Sequence, residues 1–366
     1  MVKFGEIIGA SLEWTATVLF RPFSPKKWLI LAFVAFLAGS LAGGNFNSSK
    51  SDRFSRTKEA SAAQQYVDNS FQVAKIQTPE EKPIPKEEFK SFLKKSASIP
   101  VIFFVTLIVI AAIAVFLLLL WVCSRFYFIF LEDVTKNDAS IVLPFRSNKK
   151  IGNSFFRFNI LFLFFVICIT ALFIFLGFIS LSKMGALNNP AAVGFWKILS
   201  VLLPLILLFI LVILIILLIA VVINDFVTIV MLRDKVKVTQ AIKKVVSILS
   251  LNKLNFSLYI LIKIGLAIAS SIIYNIISFI TVMSLLFPVG IIASILYFIF
   301  RAIPKNAQSI FAVVVMIVAI PIVLFLWYCF MCMYLPFAVF FRTFSVKFFG
   351  KLDSRYNLFV YTDDHR

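Results

Sequence analysis

Two ionisable residues lie where the sequence is otherwise strongly apolar. Asp225 follows an apolar run from Val201 to Val222, and Lys263 lies inside the next apolar run. A charge in lipid is unfavourable unless it is paired or used, so an intramembrane acid is by default a functional candidate. A proton or ion relay would need further acids or histidines there, and the single histidine is His365. We interpret Asp225 and Lys263 as an intramembrane polar pair with a structural role, with snorkelling of Lys263 to the headgroups as the alternative.

A second candidate is the motif Cys329-Phe330-Met331-Cys332. The CxxC spacing carries redox or metal chemistry in soluble proteins, but here it lies in an apolar run with no second cysteine pair or histidine cluster to complete a metal site. We interpret the two cysteines as small apolar side chains that pack against neighbouring residues. The sequence also has no phosphate-binding loop, nucleophile elbow, HExxH or glycine-rich dinucleotide loop. We therefore predict no catalytic, cofactor-binding or metal-binding residues and expect the chain not to be an enzyme.

Basic residues beside apolar faces point to a third kind of chemistry, contact with lipid headgroups. The clearest case is the segment Val238–Leu249, where apolar residues recur at helical spacing and lysines occupy the other side. Anionic headgroups attract each such lysine by about 1 kcal/mol. We expect these contacts to anchor the protein, with a platform for lipids or a partner as the sharper hypothesis. The predicted headgroup contacts are Lys149, Lys150, Lys243, Lys244, Lys347 and Lys351.

The composition places these residues in a membrane protein. Of 366 residues, 61% are apolar and 14% are charged, yet the formal net charge is +19. A soluble domain has roughly 45–50% apolar residues, so a soluble globular enzyme, a disordered chain and a fibrous protein are excluded. The positive charge is spread along the ends of apolar runs and is not gathered in one domain. We therefore expect no nucleic-acid partner.

The apolar runs are continuous, which predicts an all-α membrane protein, because an open sheet edge is not tolerated in lipid. We predict six transmembrane helices with interfacial amphipathic helices beside them. A further apolar run, Leu285–Phe300, is a seventh span or a re-entrant or interfacial segment. The six predicted spans are Trp28–Gly44, Pro100–Val122, Asn159–Leu181, Ile198–Ile223, Phe256–Ile280 and Ile310–Phe341.

The distribution of Lys and Arg predicts the orientation. In a six-span arrangement, 21 of them lie on the side of the two termini and 14 on the opposite side. We therefore predict a single membrane domain over residues 1–366, with both termini in the cytoplasm and a polar extracytoplasmic loop over residues 45–99. A seventh span at Leu285–Phe300 would place the basic C-terminal segment outside, so we prefer six.

Several short strings resemble a family of uncharacterised bacterial multi-pass membrane proteins. They are Leu19-Phe20-Arg21-Pro22-Phe23, Ala42-Gly43-Gly44, Asn224-Asp225-Phe226-Val227 and Leu335-Pro336. A more distant similarity is to the membrane region fused to some glycerophosphodiester phosphodiesterases, although this sequence has no catalytic domain of that kind. The resemblance implies a multi-pass architecture in a bacterial inner membrane and implies no activity.

Three functions fit these observations. The first is a non-enzymatic scaffold or accessory subunit that organises lipids or a partner complex, with membrane lipids and a protein partner or a second copy as its partners. The alternative is a transporter or permease component, which would need a polar cavity lined by Asn275, Ser270, Ser271 or Lys263. The third is a lipid-acting enzyme, which would need acids clustered at the interface, such as Asp225 with Glu132 and Asp133.

Overall fold

The computed structural model describes residues 2–39, 99–186 and 193–359, and this part of the chain is helical with no strands. The predicted polar loop, residues 45–99, lies outside the described residues except for Ile99, which is the first residue of a helix. The helices are α1 (Phe4–Phe20), α2 (Pro25–Leu37), α3 (Ile99–Lys136), α4 (Val142–Ser147), α5 (Lys149–Lys183), α6 (Phe195–Val222), α7 (Thr228–Asp234), α8 (Val238–Leu251), α9 (Lys253–Ala302) and α10 (Lys305–Leu352). A π-helical turn, Ile223–Val227, joins α6 to α7, and a 3₁₀ turn, Ser354–Tyr356, follows α10.

Five helical segments are long and apolar enough to cross a membrane: Phe103–Lys136, Lys149–Lys183, Phe195–Asp234, Lys253–Ala302 and Ala307–Leu352. Their most apolar stretches are almost entirely exposed, and a helix that is apolar on all sides without protein around it belongs in lipid. The prediction of a multi-pass helical membrane protein is therefore confirmed. The count of six or seven spans is not, because the described residues provide five.

The predicted first span, Trp28–Gly44, differs from what the structure shows. Helix α2 begins at Pro25, where the Ser24 hydroxyl accepts a hydrogen bond from the backbone of Lys27, and it ends at Leu37. Its 13 residues extend about 20 Å, short of the ~30 Å hydrocarbon layer. It also buries one face in the protein, and residues 40–44 lie outside the described part. The fully buried side chains of this face are Leu31, Ala32, Val34 and Ala35.

The ambiguous segment Leu285–Phe300 is not a separate element. It is the second half of α9, a continuous helix of 50 residues that passes through Pro288. Hydroxyl side chains such as Thr281 and Ser284 do not interrupt this helix, since each bonds back to a carbonyl of the preceding turn. The turn into α10 is closed by Gln308, whose side-chain amide donates to the carbonyls of Phe300 and Ile303 at 3.2 Å.

The chain divides into two compact units, residues 45–119 and the remainder. The described part of the first is the beginning of α3. In the second, one end of every long helix meets α1, α2, α4, α7 and α8 in a densely packed region. We call this region the base and define it as residues 4–38, 120–158, 223–260 and 328–359. Both buried hydrophobic clusters of the described residues lie largely within it.

The two N-terminal helices, α1 and α2, are held to the rest of the base by ring contacts and by hydrogen bonds from aromatic side chains. The indole of Trp14 donates to the carbonyl of Val134 at 2.9 Å, and the hydroxyl of Tyr328 donates to the carbonyl of Leu29 at 2.6 Å. The ring of Phe4 stacks on Phe348, with centroids 5.6 Å apart. Helices α1 and α10 therefore meet along the C-terminal part of α10.

Candidate functional site

The π-helical turn Ile223–Val227 is the most unusual backbone feature of the base. Its wider winding is closed by the hydrogen bond from the Thr228 amide to the Ile223 carbonyl, five residues back. Such turns occur mostly as single insertions in α-helices and often at functional sites. Here the turn buries the consecutive side chains of Asp225 and Phe226, while Asn224 is exposed.

Asp225 accepts hydrogen bonds from two residues of α9. Its Oδ2 accepts from the hydroxyl of Tyr259 at 2.8 Å and from the ammonium group of Lys263, in an ion pair that is largely buried. Tyr259 and Lys263 are four residues apart and therefore lie on one face of α9. The hydroxyl of Tyr259 also lies 2.8 Å from Oγ of Ser345 on α10. The carboxylate thus joins the π-turn to α9, and the hydroxyl of Tyr259 extends the contact to α10.

The neighbouring carbonyl of Asn224 gathers three further donors. They are the hydroxyl of Tyr127 at 2.6 Å, the hydroxyl of Thr228 at 2.7 Å and the guanidinium of Arg342 at 3.0 Å. The guanidinium of Arg342 lies over the ring of Tyr127, 4.2 Å from its centroid, in a cation–π contact. Together with Asp225, this carbonyl connects α3, α9 and α10 to the π-turn.

Aromatic rings pack around the buried part of this polar cluster. Tyr259 is fully buried and stacks on Phe348 at 4.4 Å and on Phe344 at 5.4 Å between centroids. Phe226 approaches Tyr259 at 5.0 Å and Phe349 at 5.2 Å. Hydrogen bonds and ion pairs are stronger in such an environment, and an unpaired partner is correspondingly unfavourable.

The cluster contains one carboxylate, Asp225, and two cations, Lys263 and Arg342. Its hydrogen bonds join residues of different helices to the π-turn, which is an arrangement that stabilises the packing of these helices. Among the described residues, no group of three or more His, Cys, Asp or Glu side chains could hold a metal ion. The structure places the predicted pair Asp225 and Lys263 in direct contact, and it adds Tyr259, Ser345 and Arg342.

Sequence reasoning missed these added residues for a physical reason. Tyr259 could have been found from its spacing of four from Lys263, which places both side chains on one helix face. Arg342 and Tyr127 gave no such signal, because both contact a backbone carbonyl that the π-turn orients.

The acids Glu132 and Asp133 occupy a separate place, at the end of α3. Glu132 is bound by Lys136 at 2.6 Å and by the side-chain amide of Asn148 at 2.7 Å. The oxygen of that amide accepts from Lys235 at 2.7 Å, and burial lowers the pKa of Lys235 below its usual value. Asp133 is buried. None of the described ion pairs or hydrogen bonds joins these acids to Asp225.

The six predicted headgroup lysines differ in their surroundings. Lys149, Lys150, Lys243 and Lys351 are exposed. Lys244 is also exposed but is paired with Asp234 at 2.5 Å, and this hydrogen bond raises the pKa of Lys244. Lys347 is half-buried over aromatic rings, with its ammonium 5.0 Å from the centroid of Phe359. The first four are therefore the ones best placed for headgroups.

The residues that the transporter hypothesis requires make local contacts. The amide of Asn275 donates to the Ser271 carbonyl at 2.8 Å, and the hydroxyl of Ser270 donates to the carbonyl of Ala267. The cavity found between α9 and α10 is lined by apolar and aromatic side chains such as Leu296, Phe300 and Met316. Cys329 and Cys332 are half-buried free thiols in α10.

Comparison with known proteins identifies one family. The sequence matches the family described as Family of unknown function (DUF7544) over residues 6–359, nearly the whole chain. No curated protein and no solved structure matches it. These comparisons do not bear on the similarity to the membrane region of glycerophosphodiester phosphodiesterases or on a bacterial origin.

Proposed function

We propose, for a chain that belongs to the DUF7544 family of unknown function, a non-enzymatic role as a membrane scaffold or accessory subunit that organises lipids or a partner complex. The observation that carries this proposal is the contrast between the base and the long helices. The base is densely packed and has exposed lysines on its surface, whereas the long helices are exposed along their apolar stretches. A rigid, basic platform on lipid-embedded helices is suited to binding headgroups or a partner at one membrane face.

The direction of the helices supports a sixth crossing. Helices α3, α6 and α10 run into the base, and α5 and α9 leave it. We propose that each of these five helices crosses the membrane once and that a sixth crossing lies between α3 and α1, which packs on α10 within the base. An even number of crossings places both termini on one face.

The charge distribution supports a cytoplasmic base in a bacterial inner membrane. The segments that flank the base side of the spans carry 21 of the Lys and Arg residues, against 14 on the other side. Basic residues are retained on the cytoplasmic side of membrane proteins, where the leaflet is also richer in anionic lipid.

Four exposed base lysines are expected to hold anionic lipid around the protein. Replacement of Lys149, Lys150, Lys243 and Lys351 by Gln is expected to reduce the anionic lipid that co-purifies in mild detergent severalfold, because each contributes about 1 kcal/mol near a charged surface. Any protein that the base recruits is expected to be lost with it. Quantitative lipid and protein analysis of the purified material measures both.

The matched control changes four basic residues away from the base, Lys183, Lys197, Arg301 and Lys305, to Gln. This variant loses the same charge and is expected to retain the wild-type lipid complement. Equal depletion in both variants, or none in either, would contradict a lipid-organising base.

A further inference from the structure

Arg125 is a buried cation for which the described residues provide no carboxylate partner. It is 5% exposed, one of its terminal nitrogens donates to Oδ1 of Asn153 at 3.0 Å, and its Nε has no hydrogen-bond acceptor among the described residues. None of the ion pairs of the described residues includes it. A buried charge with unsatisfied donors is unfavourable unless something else satisfies it.

Two aromatic faces hold the guanidinium in place. Its central carbon lies 4.1 Å from the centroid of Trp121 and 4.8 Å from that of Phe145. Contacts with ring faces offset part of the loss of hydration but do not use the donors at the edge of the guanidinium. Trp121, Phe145 and Asn153 are each half-buried, so Arg125 lies one side chain below the surface.

The surface above Arg125 is positive. Arg157, one turn beyond Asn153 on α5, is exposed, and its Nε lies 3.4 Å from the Asn153 carbonyl. Lys149 and Lys150, one turn before Asn153, are also exposed. The nearest acid along α3 is Glu132, about 10 Å further along the helix, and it is already bound by Lys136 and by the amide of Asn148.

The helices approach closely at this point because α5 has a glycine there. A Cβ added to Gly152 would lie 2.9 Å from Cγ of Arg125. The position along the chain also fits a membrane interface, since Trp121 lies at the end of the predicted span Pro100–Val122 and Arg125 follows that span by three residues. Trp is enriched at the level of the headgroups, and basic residues cluster on the cytoplasmic side.

We propose that Arg125, Asn153 and Arg157 form a binding site for a phosphate group, carried by an anionic phospholipid or present as free phosphate. The free edge of Arg125 donates to the phosphate oxygens, the amide nitrogen of Asn153 adds a donor, and Arg157 balances the charge. This site rests on the proposed lipid-organising function and adds to it one position that selects phosphate. Lys149 and Lys150 contribute only to the local potential.

The variant Asn153→Asp tests the site and still leaves Arg125 with a hydrogen-bond acceptor at position 153. The new carboxylate pairs with Arg125 and competes with phosphate, so the melting temperature is expected to stay the same or rise while phosphate binding falls about tenfold or more. The matched control is Ser250→Asp, which adds the same charge at an exposed position of α8. Phosphate binding by Asn153→Asp at the wild-type level would overturn the proposal.

Three probes are applied to the full chain in maltoside detergent: phosphatidylglycerol, oleate as an anionic lipid without phosphate, and inorganic phosphate. Native mass spectrometry counts the lipid retained, and the melting temperature reports inorganic phosphate. One phosphatidylglycerol more per chain in wild type and in Ser250→Asp than in Asn153→Asp supports a lipid source. A rise in melting temperature with inorganic phosphate that is equal in wild type and in Ser250→Asp supports free phosphate as the source. Equal retention of oleate would overturn selection of phosphate.

The outcomes separate this site from the proposed function. If the four-lysine variant keeps its surrounding anionic lipid, the scaffold proposal is contradicted whatever Asn153→Asp shows. If only Asn153→Asp behaves as wild type, the phosphate site is contradicted and the scaffold proposal stands.

Discussion

Replacement of Asp225 by Ala is expected to lower the free energy of unfolding in detergent by about 3 kcal/mol, the lower part of the range for a broken buried ion pair. The variant removes the acceptor of both Tyr259 and Lys263 and leaves the largely buried ammonium group of Lys263 without a carboxylate. Asp225→Asn keeps an oxygen acceptor in the same place and is expected to lose less. Reversible unfolding of the purified chain measures these differences.

The partner substitution is expected to be milder. Lys263→Met leaves Asp225 bound by Tyr259 and close to Arg342, so the carboxylate keeps a donor. In the double variant Asp225→Ala with Lys263→Met, the loss in free energy of unfolding is expected to be smaller than the sum of the two single losses. Each single variant leaves one charge of the ion pair without its partner, and the double variant removes both charges. Additive losses would show that the two side chains do not interact.

Replacement of Phe226 by Ala is expected to destabilise the base by about 3–5 kcal/mol, the usual effect of removing a buried phenyl ring. The ring is fully buried and lies within 6.2 Å, between centroids, of Phe256, Tyr259, Phe348 and Phe349. The cavity would open beside the polar cluster. The same unfolding measurement applies.

Phe279 provides the matched control, since it is a phenylalanine of α9 that is 63% exposed in the apolar stretch. Phe279→Ala removes a ring that contacts detergent or lipid in both the folded and the partly unfolded state, so its effect is expected to be well below that of Phe226→Ala. Similar losses in the two variants would contradict a core that is confined to the base.

The sequence was sufficient for the class of fold because apolar runs such as Val201–Val222 are too long and too continuous for a soluble helix. It was insufficient for the boundaries. Apolar residues that face lipid and those that face protein look alike, so the sequence does not show that one face of α2 is buried in the protein. Likewise the sequence predicts a separate segment over Leu285–Phe300, whereas α9 continues through Pro288 without a break.

The candidate site was predictable in part. Asp225 and Lys263 are charged residues in or beside apolar runs, so the sequence alone singles them out. The role of Arg342 depends on the carbonyl of Asn224, and nothing in the residue types reports a π-turn. Arg125 looks like any basic residue at the end of a span. What distinguishes it is the pair of rings around it and the lack of an ion pair with any described acid, and both depend on how α3, α4 and α5 pack.

Helix α1 and the C-terminal part of α10 meet in the base, and we propose that the base lies on the cytoplasmic face of the membrane. Single cysteines at Lys3, Lys243 and Lys351, in a chain whose four native cysteines are replaced, test it by labelling with a membrane-impermeant maleimide. We predict that all three positions are protected in intact cells and labelled in inside-out vesicles. Labelling of position 351 from outside, or of positions 3 and 351 from opposite faces, would contradict the account.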